Sequence, residues 1–205
     1  MTTLNIACAF IAILFGANLL PKEYENRTIH LILCRPVRYW QFLIGKSIGL
    51  NLVIALNWGL LLIGYLVIFY ISGGKFYDLN FFATFFCGAL FAFFQATILM
   101  SSAIFFSTIT TKSLSVLFSV GLFLVGNNIS QLNFLQQKTT SPYLALFWEW
   151  IARLLPNLES LSVGIRLTYG IDIPIVHFFN GFFQTLFYSI LFCSLSVLVL
   201  KVREN

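Results

Sequence analysis

Charge is the scarcest commodity in this sequence. Only 9% of its 205 residues are Asp, Glu, Lys or Arg, against roughly 25% in a soluble domain. So few ionised groups cannot cover a water-soluble globule of this length, and the missing polar surface must face lipid. Histidine is nearly absent as well. His30 and His177 are the only two, neither has a carboxylate or second His at i+3 or i+4, and there is no HExxH. The four cysteines form no CxxC and no metal spacing. Cys8, Cys87 and Cys193 fall in apolar runs as small hydrophobes, so they give no clue to redox compartment. The apolar runs hold no carboxylate at all. That excludes the paired Asp of an intramembrane protease, and it disfavours a proton-coupled carrier, which places ionisable groups on the ion path. Internal repeats, low-complexity tracts and a soluble domain are all missing. No catalytic residue, metal ligand or cofactor-binding residue is assigned, and the chain is read as a non-enzyme.

What is present is apolar: 59% hydrophobic residues, 24 Phe and a mean hydropathy of +0.90. Residues 1–21, 47–74, 79–111, 113–137 and 173–200 contain no charged side chain. A helix needs about 20 largely apolar residues to cross a hydrocarbon core of about 30 Å. A spanning backbone must satisfy its own hydrogen bonds, as a helix or a closed barrel. Barrel strands alternate apolar with polar, and stretches such as Phe81–Phe86 and Leu60–Leu66 do not. The expected fold class is therefore all-α: a polytopic helical membrane protein, one transmembrane domain over 1–205, with five spans at about 3–20, 45–71, 80–107, 113–131 and 174–200. The run Leu4–Leu20 lacks the basic leader of a cleaved signal and is read as a span.

Basic residues set the topology. Of twelve Lys and Arg, five lie between Lys22 and Lys46. Loops beside membrane spans that are rich in Lys and Arg stay in the cytoplasm. Placing 21–41 with Lys46 at its edge, Lys112, Lys201 and Arg203 inside puts eight basic residues in and four out. The opposite orientation reverses the ratio. The net charge of +5 thus reflects topology and not nucleic acid. The N-terminus then lies outside, so a preceding helix is expected to be missing.

Two segments are not spans. Pro21–Gln41 is amphipathic, with Ile29, Ile32, Leu33, Val37 and Trp40 at helical spacing, and Pro36 forbids one continuous helix. A short surface helix and a bend at 34–36 are expected. In 139–172, Ser141 can cap a helix whose first residue is Pro142. Tyr143, Leu144, Phe147, Trp148, Ile151 and Leu155 then share an apolar face, read as an outer interfacial helix ending near Pro156. The in-span polar residues Asn51, Asn57, Gln95, Thr97, Ser101, Ser102 and Gln184 are expected to join helices by hydrogen bonds worth about 0.6 kcal/mol each. Gly45-Lys46-Ser47 is no phosphate loop, because the first Gly of GxxxxGKS/T falls on Trp40. Gly45 and Gly49 form a GxxxG suited to close helix packing.

The stretch Lys22-Glu23-Tyr24-Glu25-Asn26-Arg27-Thr28-Ile29, the Leu-rich turn Leu31-Ile32-Leu33-Cys34-Arg35-Pro36-Val37-Arg38 and the entry Phe42-Leu43-Ile44-Gly45-Lys46 resemble the signature of type-2 ABC exporter permeases. Leu155-Pro156-Asn157-Leu158-Glu159 before the last helix is similar to the branch linked with multi-copper enzyme maturation. The resemblance covers nearly the whole chain from the family's second helix onward. Family members usually have six spans, so the first is expected to be absent here.

The resemblance implies a permease subunit of a multi-pass cell membrane complex, in a bacterial inner or plasma membrane. The segment 21–41 would be a coupling helix docked on a separate ABC ATP-binding subunit through Glu23, Glu25, Arg27, Thr28, Arg35, Pro36 and Arg38. ATP would be bound by that partner, and this chain would need no cofactor. A second permease copy or homologue would complete a homo- or heterodimer. The alternative class is a non-transporting membrane scaffold or assembly factor.

Overall fold

The computed structural model describes residues 2–25, 39–71, 79–138, 142–162 and 175–204. All regular structure among them is helical: α1 (Thr2–Glu25), α2 (Tyr39–Ile71), α3 (Leu79–Ile109), α4 (Lys112–Gly126), α5 (Ile129–Lys138), α6 (Pro142–Leu154), a 3₁₀ turn (Glu159–Leu161) and α7 (Ile175–Glu204). Three helices are long and apolar enough to cross a membrane: Trp40–Ile68, Phe85–Ile109 and Val176–Val202. At 1.5 Å per residue the shortest of these reaches about 37 Å, past the ~30 Å hydrocarbon core. Two shorter apolar helices, Thr3–Leu19 and Lys112–Gly126, accompany them. The chain is a multi-pass helical membrane protein.

Two boundaries differ from the sequence expectation. α1 continues over Pro21 to Glu25, beyond position 20. Proline loses its own N–H bond and crowds the carbonyl four residues back, but Pro21 stands near the helix end, and the last turn carries on into the polar stretch. The expected fourth span, 113–131, breaks at Asn127–Asn128. There the Asn127 N–H bonds Phe123 O and the Asn128 N–H bonds Val125 O, while α5 resumes with polar Gln131 and Asn133. α6 starts at Pro142 and ends at Leu154, and its Tyr143, Trp150 and Leu154 are largely exposed.

α3 is the hub. Of its most apolar 18 residues 78% are buried, against 22% in α7 and 6% in α2. α1 lies along α3 through small side chains: Ala9, Ala12 and Ala17 meet the level of Ala92, Ala96 and Ala103. Gly16 comes so near that an added Cβ would stand 2.8 Å from Ala103 Cβ and from Met100 O. Without an apolar-to-water drive in lipid, such close van der Waals approach is what holds helices together. Phe91 and Phe94 of α3 form edge-to-face and tilted pairs with Phe178 and Phe182 of α7. Trp58 ties α2 to α3 by donating Nε1–H to Ala89 O at 2.7 Å.

Leu43 of α2, Ile104 of α3 and Leu200 of α7 share one buried cluster. The start of α2 and the ends of α3 and α7 thus gather at one end of the bundle, with Lys46, Lys112 and Lys201 near it. The turn 155–162 closes the other end. Leu158 and Leu161 are fully buried wedges, Leu158 against Gly126 and Leu161 against Gly181, where a Cβ would meet their side chains at 2.8 and 3.0 Å.

Candidate functional site

Of the expected coupling residues, Glu23 and Glu25 stand on the last turn of α1. Arg27, Thr28, Arg35, Pro36 and Arg38 lie outside the described residues, as do His30 and the expected bend at 34–36. The described helices therefore position only the two ends of this segment: Glu25 closing α1 and Tyr39 opening α2. Gly45 and Gly49 lie on α2, and a Cβ added to either meets nothing within 4 Å. Among the described residues, therefore, no helix packs on the GxxxG.

The in-span polar groups behave differently from expectation. Asn51, Asn57, Thr97, Ser101 and Ser102 donate to carbonyls three or four residues back on their own helix, the nearest acceptors a helical hydroxyl or amide can find. Cross-helix bonds come from Gln95 and Gln184 and from residues not singled out by the sequence. Gln95, 1% exposed, donates Nε2–H to Asn127 Oδ1 at 3.0 Å, and its Oε1 has no partner among the described residues. Ser115 Oγ–H donates to Ala103 O at 3.0 Å. A lone Ser in an apolar run carries no signal of which helix it will meet.

Two cavities lie at opposite ends. At the end closed by the 155–162 turn, a polar recess of about 230 Å³ is lined by Ser160, Leu161, His177, Asn180, Gly181 and Gln184. His177 Nε2 lies 2.9 Å from Ser160 O, and Gln184 Nε2–H donates to Asn157 O at 3.0 Å. Asn157 Oδ1 accepts the Ser160 N–H, and the Glu159 carboxylate accepts both the N–H and Oγ–H of Ser130 at 2.8 and 2.7 Å. The stretch Leu155-Pro156-Asn157-Leu158-Glu159 is thus a knot: its leucine plugs the bundle while its polar residues clamp α5 and α7. Among the described residues no three of His, Cys, Asp and Glu gather to hold a metal.

At the end near Lys46 and Lys201, a larger cleft of about 650 Å³ opens between α2 and α7, with α3 at its back. Trp40, Leu43, Ile44, Ser47 and Asn51 line one wall, Ser189, Ile190, Cys193, Ser194, Val197 and Leu198 the other, and Ser101 the back.

The family model for the ABC-2 family transporter protein matches residues 2–162, from the start of α1 through the knot. No curated protein matches the chain.

Proposed function

The chain belongs to the ABC-2 family of transporter proteins, and from that premise we propose that it is a permease subunit whose segment 21–41 transmits ATP-driven movement from a separate ATP-binding subunit into α1 and α2. As a membrane component of an ABC transporter, the chain is not itself catalytic. The observation that carries the coupling reading is where charge sits: Lys22 to Arg38 supply six charged groups within a short segment between two otherwise apolar helices. α1 extends stiffly into that segment as far as Glu25. A load applied there would reach α3, because α1 packs on it through Gly16 at a distance that leaves no slack.

In this reading Glu23, Glu25, Arg27, Arg35 and Arg38 pair with complementary charges on the ATPase, while Thr28 and Pro36 shape the bend. The ATPase holds the nucleotide, and this chain carries no cofactor. The direction is export. The partner permease is a second copy or homologue, and the broad exposed apolar side of α2, including the open Gly45 and Gly49, supplies surface for it or for lipid. The Leu155–Glu159 knot favours the branch linked with multi-copper enzyme maturation, and the bacterial inner or plasma membrane is the site of action.

Charge reversal tests the coupling role. Glu23→Arg together with Arg35→Glu and Arg38→Glu, in the tagged chain purified from its native membrane, should lose the co-purifying ATPase activity while α1–α3 packing and membrane insertion persist. Retention of the full ATPase by the reversed chain would defeat the proposal.

A further inference from the structure

The cleft between α2 and α7 is not used by the coupling reading, and its chemistry specifies a ligand. Its 650 Å³ lies within the range of about 300–1,000 Å³ typical of small-molecule sites. A transmembrane helix about 10 Å across and 30 Å long would require several times that space, so a helix of another subunit does not fit as the occupant.

The walls are poor partners for a water-soluble solute despite their serines. Ser47 donates its hydroxyl proton to Ile44 O, Ser101 to Thr97 O and Ser194 to Leu191 O, and the Asn51 amide bonds Ser47 O. With those donors directed back into their own helices, Ser189 Oγ is the lining hydroxyl left without a partner among the described residues, and the rest is mostly hydrocarbon from Leu43, Ile44, Ile190, Val197 and Leu198. Such a surface takes an alkyl chain.

One end of the cleft is different. Trp40, 45% exposed, stands at its mouth, and indole rings favour the headgroup layer of a bilayer. Lys201 is exposed and follows Val197 and Leu198 by four and three residues, which on a helix places it on the same face one turn further out. An apolar slot ending in an interfacial Trp and a Lys has the polarity of an anionic amphiphile.

We propose that this cleft is a binding site for an anionic phospholipid of the adjacent leaflet, one acyl chain lying between α2 and α7 and the phosphate headgroup held by Lys201. Apart from Trp40, at the end of segment 21–41, the lining residues lie outside the coupling segment. By bridging α2 to α7, a bound lipid fills the cleft between them.

Native mass spectrometry of the intact chain, released from detergent micelles doped with either phosphatidylglycerol or phosphatidylcholine, reads the site directly. The wild-type chain should retain phosphatidylglycerol over phosphatidylcholine by about fivefold, the preference expected for one basic residue near an anionic headgroup. Lys201→Gln should keep a lipid adduct but lose the preference. Ser194→Phe, an exposed lining position, should remove the adduct by filling the slot. A chain-filling phenylalanine is better tolerated than a buried change, and circular dichroism of each variant guards against misfolding. As a second measurement, quenching of Trp40 fluorescence by phosphatidylglycerol with brominated acyl chains should fall in Ser194→Phe. Equal retention of both lipids by the wild type overturns the proposal. So does an adduct that survives Ser194→Phe, or a Ser194→Phe chain whose only change is loss of a homodimer, which would make the cleft a seam between copies.

Discussion

Gly16 shows how much a single atom decides in this bundle. A methyl added there would meet Ala103 Cβ and the Met100 carbonyl at 2.8 Å, and a backbone oxygen cannot rotate away. Gly16→Ala should therefore destabilise the detergent-solubilised protein by about 1–3 kcal/mol, the usual cost of overpacking, read as a lower thermal unfolding midpoint. Ala103→Gly in the same chain relieves one of the two clashes and should restore part of the loss. An unchanged midpoint in the single variant would mean that α1 and α3 are not in contact at this level. The sequence marked Gly45 and Gly49 for such a role because of their spacing, yet those two face open space. Gly16 stands in no GxxxG with another glycine. Its partner surface is the small side chain of Ala103, 87 positions away, and spacing along one helix cannot report that.

At the scale of the element, the 155–162 turn was legible as a motif but not as a device. Its Pro and Asn mark a break in any helix. That Leu158 would become a fully buried wedge against Gly126, and that Glu159 would reach back to Ser130, depends on where α4 stops. The carboxylate accepts two hydrogen bonds at the N-terminal turn of α5, where the helix dipole also favours negative charge. Removing it in Glu159→Ala should cost α5 about 1–1.5 kcal/mol, seen as roughly tenfold faster amide exchange over 129–138. Glu159→Gln, which keeps an acceptor, should fall between. Exchange that is the same in all three proteins would show that α5 is held by α6 alone. The in-span amides and hydroxyls make the converse point. Their number was plain from the sequence, but most serve their own helix, because the carbonyl a turn back is within reach whatever the neighbouring helix offers.

For the whole molecule, the decisive feature is that Lys46, Lys112 and Lys201 gather near one end of the bundle while Lys138, Arg153 and Glu159 lie near the other. In a cysteine-free background, Arg38→Cys and Arg203→Cys should resist a membrane-impermeant maleimide in intact cells, and Lys138→Cys should react within the same exposure. Labelling of Arg38→Cys from outside would invert the topology and remove the basis for an ATPase docking on 21–41.

The sequence alone determined the solvent: with so few charges, and those clustered between long apolar runs, the chain has to be helical and in a bilayer, because lipid leaves an unpaired backbone no other partner. It also determined where cations sit along the chain, and hence the orientation those cations favour. Only the tertiary structure decided that α3 is central and α2 peripheral, where the fourth apolar run breaks, which glycine sets an interhelical distance, and that α2 and α7 leave a slot between them. Those outcomes come from side-chain shape across helices far apart in sequence. In lipid, where apolar residues look alike to their surroundings, shape is what selects one packing over another, and shape has no periodicity to read.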